Sequence, residues 1–303
     1  MTIKIGTRGS RLALWQANYI RNLLTNKFPD IEVELVQIKT TGDKILETAL
    51  FQINDKGLFT KELEKELIEG RIDIAVHSLK DLPTELPEGL KIGAVTKREL
   101  PNDVLIAKNK SQTIENLEYG AKIATSSLRR RAQLLIKRQD FQLEDMRGNV
   151  NTRIEKLFKS DLEGLILAYA GVERLGMSEY ISQIIPVEDM IPAVGQAAIA
   201  IETREDNNLA GILEAINDKE TEFCISEERI FLKLMGGGCS KPITAHCFMD
   251  NQRVEILGII SDINGKKYIK DRISKPKGEA KNLGTELAEK FEKSGSKEIL
   301  RTI

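Results

Sequence analysis

The chain has few of the residues that usually announce a metal, a redox centre or a covalent framework. Its 303 residues include three cysteines, two histidines and one tryptophan, and only 5% are aromatic. Cys224, Cys239 and Cys247 cannot all pair with one another and none stands in a C-x-x-C, which argues against a disulfide framework and a zinc knuckle. His77 and His246 are too few and too scattered for a convincing imidazole metal site or a Ser-His-Asp triad. Neither a G-x-x-x-x-G-K-[ST] nor a G-x-G-x-x-G phosphate loop is present. The apolar runs, such as residues 165–168, fall far short of the roughly 20 residues that span a bilayer. Charge of one sign is also missing: 45 Lys+Arg against 46 Asp+Glu leave a net charge of -1. Global charge thus gives no reason to expect nucleic acid or an anionic membrane as partner. Any recognition of anions must come from arginines clustered locally. The opening MTIKIGTRGS reads as a strand and a turn rather than a targeting segment, so the cytoplasm is the expected compartment.

What is present is the balance of a folded protein, 41% hydrophobic and 30% charged, in a chain long enough for two or three domains. Residues 3–6 read as a strand, followed by Leu12, Trp15, Tyr19 and Leu23 at helical spacing on one face. Residues 31–38 alternate as a strand, with Val33, Leu35 and Gln37 to one side. Thr60 can cap a helix running to Glu69, which Gly70 stops. The continuous apolar run 72–76 is that of a strand covered on both faces. This is α/β patterning with a mostly parallel sheet. The polar stretch KRELP, residues 97–101, marks a crossing into a second domain of similar plan. There, residues 122–124 and 164–168 read as strands, and Ser126 or Ser127 can cap a helix over 128–138. Residues 191–196, IPAVGQ, supply Pro and Gly where the chain can turn back. From residue 217 the pattern changes: a charged helix (220–234), strands at 243–248, 253–260 and 266–273 joined by Asp250-Asn251 and Asn264-Gly265 turns, and a last helix (280–293). The expected division is domain 1 over 1–97 with 196–216 returning to it, domain 2 over 98–195, and a small α+β domain 3 over 217–303.

The residues that can carry chemistry follow these elements. Arg8, Arg129, Arg130, Arg147, Arg153 and Arg174 lie mostly just after a strand or at a helix start, where open α/β sheets bind ligands and helix N-termini offer free N–H groups. The planar fork of arginine grips carboxylates in pairs of hydrogen bonds. Arg129 and Arg130 fall in the first turn of a helix, where the dipole disfavours a cation by roughly 0.3–1 kcal/mol. They are either solvated at the surface, paired with a nearby carboxylate of the protein, or neutralised by an anionic ligand; the whole set points to a ligand with several negative groups. Cys239 follows Gly236-Gly237-Gly238, which leave its thiol uncovered as a nucleophile or attachment point. Cys224, in a helical pattern, and Cys247, in a strand, read as buried and inert. Asp81, in the segment HSLKDLP after the 72–76 strand, is either a turn aspartate or a carboxylate able to accept a ligand N–H and stabilise positive charge.

Nine segments, in order and spread over nearly the full length, resemble the porphobilinogen deaminase family: GTRGSRLALWQA (6–17), KTTGD (39–43), DKGLFTKELE (55–64), DIAVHSLKDLP (73–83), ATSSLRRRAQL (124–134), MRGNVNTRIEKL (146–157), AGVERLG (170–176), IPAVGQ (191–196) and GGGCSKPI (236–243). The resemblance implies two lobes like those of periplasmic binding proteins, with the active site in their cleft, plus a third domain bearing a cysteine. It implies a dipyrromethane cofactor joined through a thioether to Cys239, on which four porphobilinogen units are added with loss of ammonia to give hydroxymethylbilane. Each unit brings an acetate and a propionate. The six arginines match positions that hold these carboxylates or assist the chemistry, with Arg8, Arg147 and Arg153 counted as catalytic. Lys56 and Lys80 match basic positions, Ser10, Ser126 and Ser127 polar contacts, Phe59 a residue packing near the pyrrole rings, and Gly148 a cofactor contact. Asp81 matches the catalytic aspartate, which bonds the pyrrole N–H and stabilises the cation left by ammonia. Lys80, Asp81, Ser127, Arg129 and Arg130 are expected to touch the cofactor as well. The family commonly has glycine after PAVGQ, whereas this chain has Ala197, a methyl that strains the backbone there if φ is positive. A monomer acting on porphobilinogen, with no nucleic-acid or membrane partner, is the expectation. Two rivals are a solute-binding module, which needs neither Asp81 nor Cys239, and an acyl-transferring cysteine enzyme, which lacks a well-placed histidine base.

Overall fold

The computed structural model describes residues 1–41, 60–238 and 241–302. In chain order the described elements are β1 (Thr2–Thr7), α1 (Arg11–Lys27), β2 (Glu32–Gln37), α2 (Lys61–Ile68), β3 (Ile74–Ser78), β4 (Leu90–Val95), β5 (Asp103–Ala107), β6 (Lys122–Ala124), α3 (Leu128–Lys137), β7 (Gln142–Glu144), α4 (Val150–Lys159), β8 (Gly164–Ala168), α5 (Tyr169–Glu173), β9 (Gln183–Ile184), β10 (Ile199–Arg204), α6 (Ala210–Ile216), α7 (Lys219–Leu234), β11 (Ile243–Met249), β12 (Arg253–Ser261), β13 (Tyr268–Pro276), α8 (Leu283–Lys293) and α9 (Ser296–Leu300). They form two compact units, Met1–Glu99 with Ala197–Phe223, and Leu100–Gln196 with Cys224–Ile303.

The first unit is built on a five-stranded sheet of order β2-β1-β3-β10-β4, and the second on one of order β7-β6-β8-β5-β9. The two orders are the same plan. In each, the first three strands run parallel, and the fourth runs antiparallel to both neighbours. The chain is therefore α/β, with two lobes of one topology and a separate C-terminal sheet. The sheets are mixed rather than mostly parallel, because β5 and β10 each enter from the other unit and run back through the sheet. Both are buried throughout their apolar residues. An antiparallel return of this kind is a long-range pairing, and no local periodicity signals it.

Helix α1 corrects the face expected from sequence. Its buried residues are Ala13, Gln16, Ala17, Ile20 and Leu24, of which the last three pack with Ile3, Ile5, Ile74 and Val76. Trp15 is exposed and stacks on Tyr19 at 5.4 Å between ring centroids. Alanines let the helix axis approach the sheet closely, while the bulkier Leu12, Trp15, Tyr19 and Leu23 lie beside that contact stripe. Helix α2 follows Thr60, which makes no side-chain cap hydrogen bond, and gives way at Gly70 with φ 69°. A Cβ on Gly6 would lie 2.3 Å from Ile72 Cδ1, so a larger residue there would have to displace the Ile72 side chain.

In the second unit, β11, β12 and β13 form an antiparallel meander joined by tight turns. Helix α7 and helix α8 cover it, with Phe231 edge-on to Phe291 at 5.2 Å. Helix α8 begins at Leu283 behind a 3-10 turn, later than the residue-280 start read from sequence, and the short α9 follows it. Leu257 and Ile259 of β12 pack on Ile191, Ile136 and Val187. Glu228, fully buried in α7, accepts N–H groups from Gly195 and Cys247, each at 2.8 Å, and lies 3.2 Å from His246 Nδ1. It thus fastens the PAVGQ segment to the C-terminal sheet. Cys224 and Cys247 are buried, as expected; the neighbouring Cys224 sulfur and burial push the Cys247 thiol far above its usual range.

Ala197, one residue past the PAVGQ segment, has φ 74°. The left-handed region costs a Cβ-bearing residue about 1–2 kcal/mol, of which glycine's looser unfolded chain offsets about 0.4–1 kcal/mol. Ala197→Gly is therefore expected to stabilise the protein by about 0.5–1 kcal/mol. Thermal melting of the two proteins checks this, and a lower melting temperature in the variant would contradict the strain.

Candidate functional site

In the first unit, functional side chains gather beyond the C-terminal ends of β1 and β3, the position where parallel strands expose free backbone groups to a ligand. Arg8 follows β1 directly. Ser10 caps α1, its hydroxyl accepting from the Ala13 N–H at 3.3 Å. Beyond β3 the chain makes a 3-10 turn, Leu79–Asp81, pinned on both sides by buried Leu79 and Leu82. The Leu79 N–H donates to the Ala198 carbonyl at 3.0 Å, and the Leu82 N–H to the Leu79 carbonyl at 3.1 Å. This turn holds the exposed Asp81 carboxylate out of the sheet while its neighbours stay in the core. Arg8, Ser10, Gln16, Thr60, His77, Ser78 and Asp81 line one pocket. Lys80 is half-buried in the same turn. Gln16, which sequence reading did not single out, is buried in α1 and donates from Nε2 to Ser78 Oγ at 2.8 Å. Lys56 and Phe59 lie outside the described residues, as does Cys239.

In the second unit, Ser126, Ser127, Arg129 and Arg130 follow β6, Arg147, Gly148 and Arg153 follow β7, and Arg174 closes the short helix after β8. Ser127 caps α3 by accepting from the Arg130 N–H at 3.5 Å, and Ser126 Oγ accepts from the Met146 N–H at 3.1 Å. The second contact joins the β6 and β7 turns. Gly148 has φ 119°, with Thr152 so close that a Cβ would meet it at 3.0 Å. That conformation lets its carbonyl accept from Arg153 Nε at 2.7 Å.

Arg129 and Arg130 are both buried, and a carboxylate missed by sequence reading binds them: Asp103, at the start of β5 and fully buried. Asp103 Oδ2 lies 2.7 Å from Arg129 Nη1, and Oδ1 accepts from Arg130 Nη2 at 2.7 Å and Nε at 3.1 Å. Gln196 Nε2 donates to the same Oδ1 at 3.0 Å. Arg129 Nη1 also donates to the Ile191 carbonyl at 2.6 Å, and Arg130 Nη1 to the Ile166 carbonyl at 3.1 Å. Burial alone would raise the Asp103 carboxyl, but the two guanidiniums outweigh it and hold it well below the usual carboxylate range. Burial likewise lowers Arg129, against the pull of Asp103.

Arg153 differs. It is half-buried, and among the described residues no carboxylate pairs with it. Burial first, then the positive charges of Arg130 and Arg147, pull its guanidinium down to about 10. A cation half-buried beside two like charges is stabilised by an anion. The turns after β6 and β7 thus hold four guanidiniums, Arg129, Arg130, Arg147 and Arg153, of which the first two are bound to the buried Asp103. Among the described residues no cluster of His, Cys, Asp and Glu could hold a metal ion, and no helix is long and apolar enough to cross a membrane.

The two like sheets and the arginine-rich strand ends define an α/β protein with guanidiniums gathered where its strands end. Comparison with known proteins gives the particular family. The model "Porphobilinogen deaminase, dipyromethane cofactor binding domain" matches residues 3–211, and "Porphobilinogen deaminase, C-terminal domain" matches residues 222–293. The porphobilinogen deaminase of Chlorobium phaeobacteroides (strain BS1) is 49% identical over 99% of this chain and 97% of its own. That of Syntrophomonas wolfei subsp. wolfei is 49% identical over 98% of this chain and 97% of its own. Among solved structures, the methionine-binding protein MetQ superposes with a TM-score of 0.44 at 12% identity, covering 73% of this chain and 92% of that one. The chain belongs to the porphobilinogen deaminase family. It is a transferase that joins porphobilinogen units into hydroxymethylbilane with release of ammonia, in tetrapyrrole biosynthesis, and its cofactor is a dipyrromethane.

Proposed function

We propose that the two clusters divide the reaction between them, Asp81 and Arg8 serving bond making and breaking, and the second-unit arginines holding the carboxylates of the growing chain. The observation that carries this reading is Arg153, half-buried beside the cationic Arg130 and Arg147 and unmatched by any described carboxylate. An acetate or propionate oxygen supplies the missing counter-charge and relieves the repulsion among Arg130, Arg147 and Arg153. Arg129 and Arg130 act differently under this reading. Asp103 fixes their planes and leaves their remaining N–H groups, with the Ser126 and Ser127 hydroxyls and the Gly148 backbone, to face a ligand. Arg174 and Lys80 add further positive charge, and Lys56 and Phe59 complete the set from sequence.

The residues present fit a dipyrromethane, whose acidic side chains require such a surplus of guanidinium. We assign its attachment to the Cys239 thiol, as a thioether. When bound, the cofactor supplies the first pyrrole to which substrate is joined. Asp81 then accepts a hydrogen bond from the pyrrole N–H of the reacting substrate and stabilises the positive charge left as ammonia departs. A fixed carboxylate does this with little reorganisation, which water cannot match. Under the same reading residues 1–97 with 196–216, residues 98–195 and residues 217–303 form three domains, and the enzyme acts as a cytoplasmic monomer without nucleic acid or membrane.

Replacing Arg153 by glutamine tests the assignment. Mass spectrometry of the variant given limiting porphobilinogen is expected to find protein stalled with fewer added units than wild type. An unchanged distribution of adducts, at an unchanged rate, would show that this guanidinium holds no part of the chain.

A further inference from the structure

Beneath the Asp81 pocket the first unit buries a cluster of ionisable residues that the reaction as described leaves idle. His77 lies on β3, Glu202 on β10 and Glu64 on α2, and they are 6%, 0% and 6% exposed. The register of β3 against β10 sets His77 opposite Ala200, which brings Glu202, two residues along, onto the same face. His77 Nε2 lies 3.0 Å from Glu202 Oε2. Among the described residues, neither His77 Nε2, nor either Glu202 oxygen, nor Glu64 Oε1 has a hydrogen-bond partner, so His77 and Glu202 meet by charge and proximity. Three ionisable groups buried with so few partners are costly, which marks the cluster as more than packing. The charged groups facing them are Glu202 from β10, Glu64 and Lys61 from α2, and Arg8 and Asp81 from the rim of the pocket. Burial raises the Glu64 carboxyl and Glu202 raises it further, against the opposing pull of Thr60, His77 and Lys61.

The geometry is that of a base with a carboxylate beside it. A buried carboxylate beside Nε2 steadies the imidazolium when it forms, which leaves Nδ1 for proton exchange. His77 also lines the pocket that holds Asp81 and Arg8.

The chemistry needs such a group. Each addition forms a carbon–carbon bond between the methylene of one unit and the free α-carbon of a pyrrole. The C–H bond at that α-carbon then breaks, its electron pair returns to the ring, and the proton must go to a base. If Asp81 took that proton, it would lose the negative charge that stabilises the cation. We propose that His77, steadied by Glu202, is the base that accepts the α-carbon proton at each addition. The imidazolium then gives the proton to the released ammonia or to water, which resets the site. His77 is thus a catalytic residue, and Glu202 a positioning residue acting through it.

This rests on the assignment of the Asp81 pocket to the reaction, and the test separates the two. In a single turnover, His77→Asn should still release ammonia from the first substrate, while carbon–carbon bond completion slows by roughly 10²-fold. With porphobilinogen deuterated at the α-carbon, the variant should show a primary isotope effect larger than wild type. Its rate profile should lose the acid-side limb, where protonated imidazole cannot act as base. Glu202→Gln, which keeps the side-chain volume, should shift that limb and serves if His77→Asn does not fold. Unchanged bond formation, isotope effect and pH profile in either folded variant would overturn the proposal, as would equal loss of ammonia release and elongation. Normal ammonia release in Asp81→Asn, by contrast, would sink the pocket assignment itself.

Discussion

Asp81→Asn is expected to lower turnover by roughly 10²–10³-fold, the loss typical of removing one preorganised electrostatic partner of a developing charge. Asparagine keeps the size of the side chain and can still accept a hydrogen bond, so the loss isolates the negative charge. The fold should be indifferent, because Asp81 is exposed while Leu79 and Leu82 anchor the turn that carries it. Steady-state rates and thermal melting, measured on the same preparation, separate the two effects. A variant with wild-type turnover would remove Asp81 from the chemistry. A variant that melted much earlier would make it a structural aspartate.

The second large effect falls on stability. Asp103→Ala leaves Arg129 and Arg130 buried without their counter-ion and takes an acceptor from Gln196. Breaking one side of a buried pair typically costs about 3–5 kcal/mol. The wild-type pH dependence has the matching sign. The folded Asp103 carboxyl is held below its unfolded value, which is about 3.9. Its contribution is therefore complete above that pH and lost as pH falls through the folded-state value. Urea unfolding at neutral pH should show the full difference between wild type and Asp103→Ala, and the difference should shrink in strong acid. Equal stabilities at neutral pH would mean that the two arginines are satisfied without Asp103.

Asp103 also shows where reading the sequence stops. The helix-start position of Arg129 and Arg130 allowed for a carboxylate partner. It did not say which, because the carboxylate sits 26 and 27 residues earlier, at the head of an apolar strand whose place in the sheet depends on a long-range return. Local signals served well where the cause was local. The Ser127 cap, strand β8 and the tight turns of the C-terminal meander all depend on neighbours in sequence. The buried face of α1 was misjudged because large apolar residues were weighed above the alanines that permit close approach. Gln16, Glu202 and Glu64 gave no signal, since a polar residue in an amphipathic pattern looks solvated until another element covers it. The strain at Ala197 was foreseeable only as a conditional, decided by a φ that the residues themselves do not reveal.

The measurement that bears most directly on the account is the intact mass of the purified protein beside that of Cys239→Ser. Wild type should carry an added mass of two linked pyrrole units that survives denaturation, and the serine variant should lack both that mass and the activity. Fully active wild-type protein at its unmodified mass, or an adduct that persists in Cys239→Ser, would contradict it.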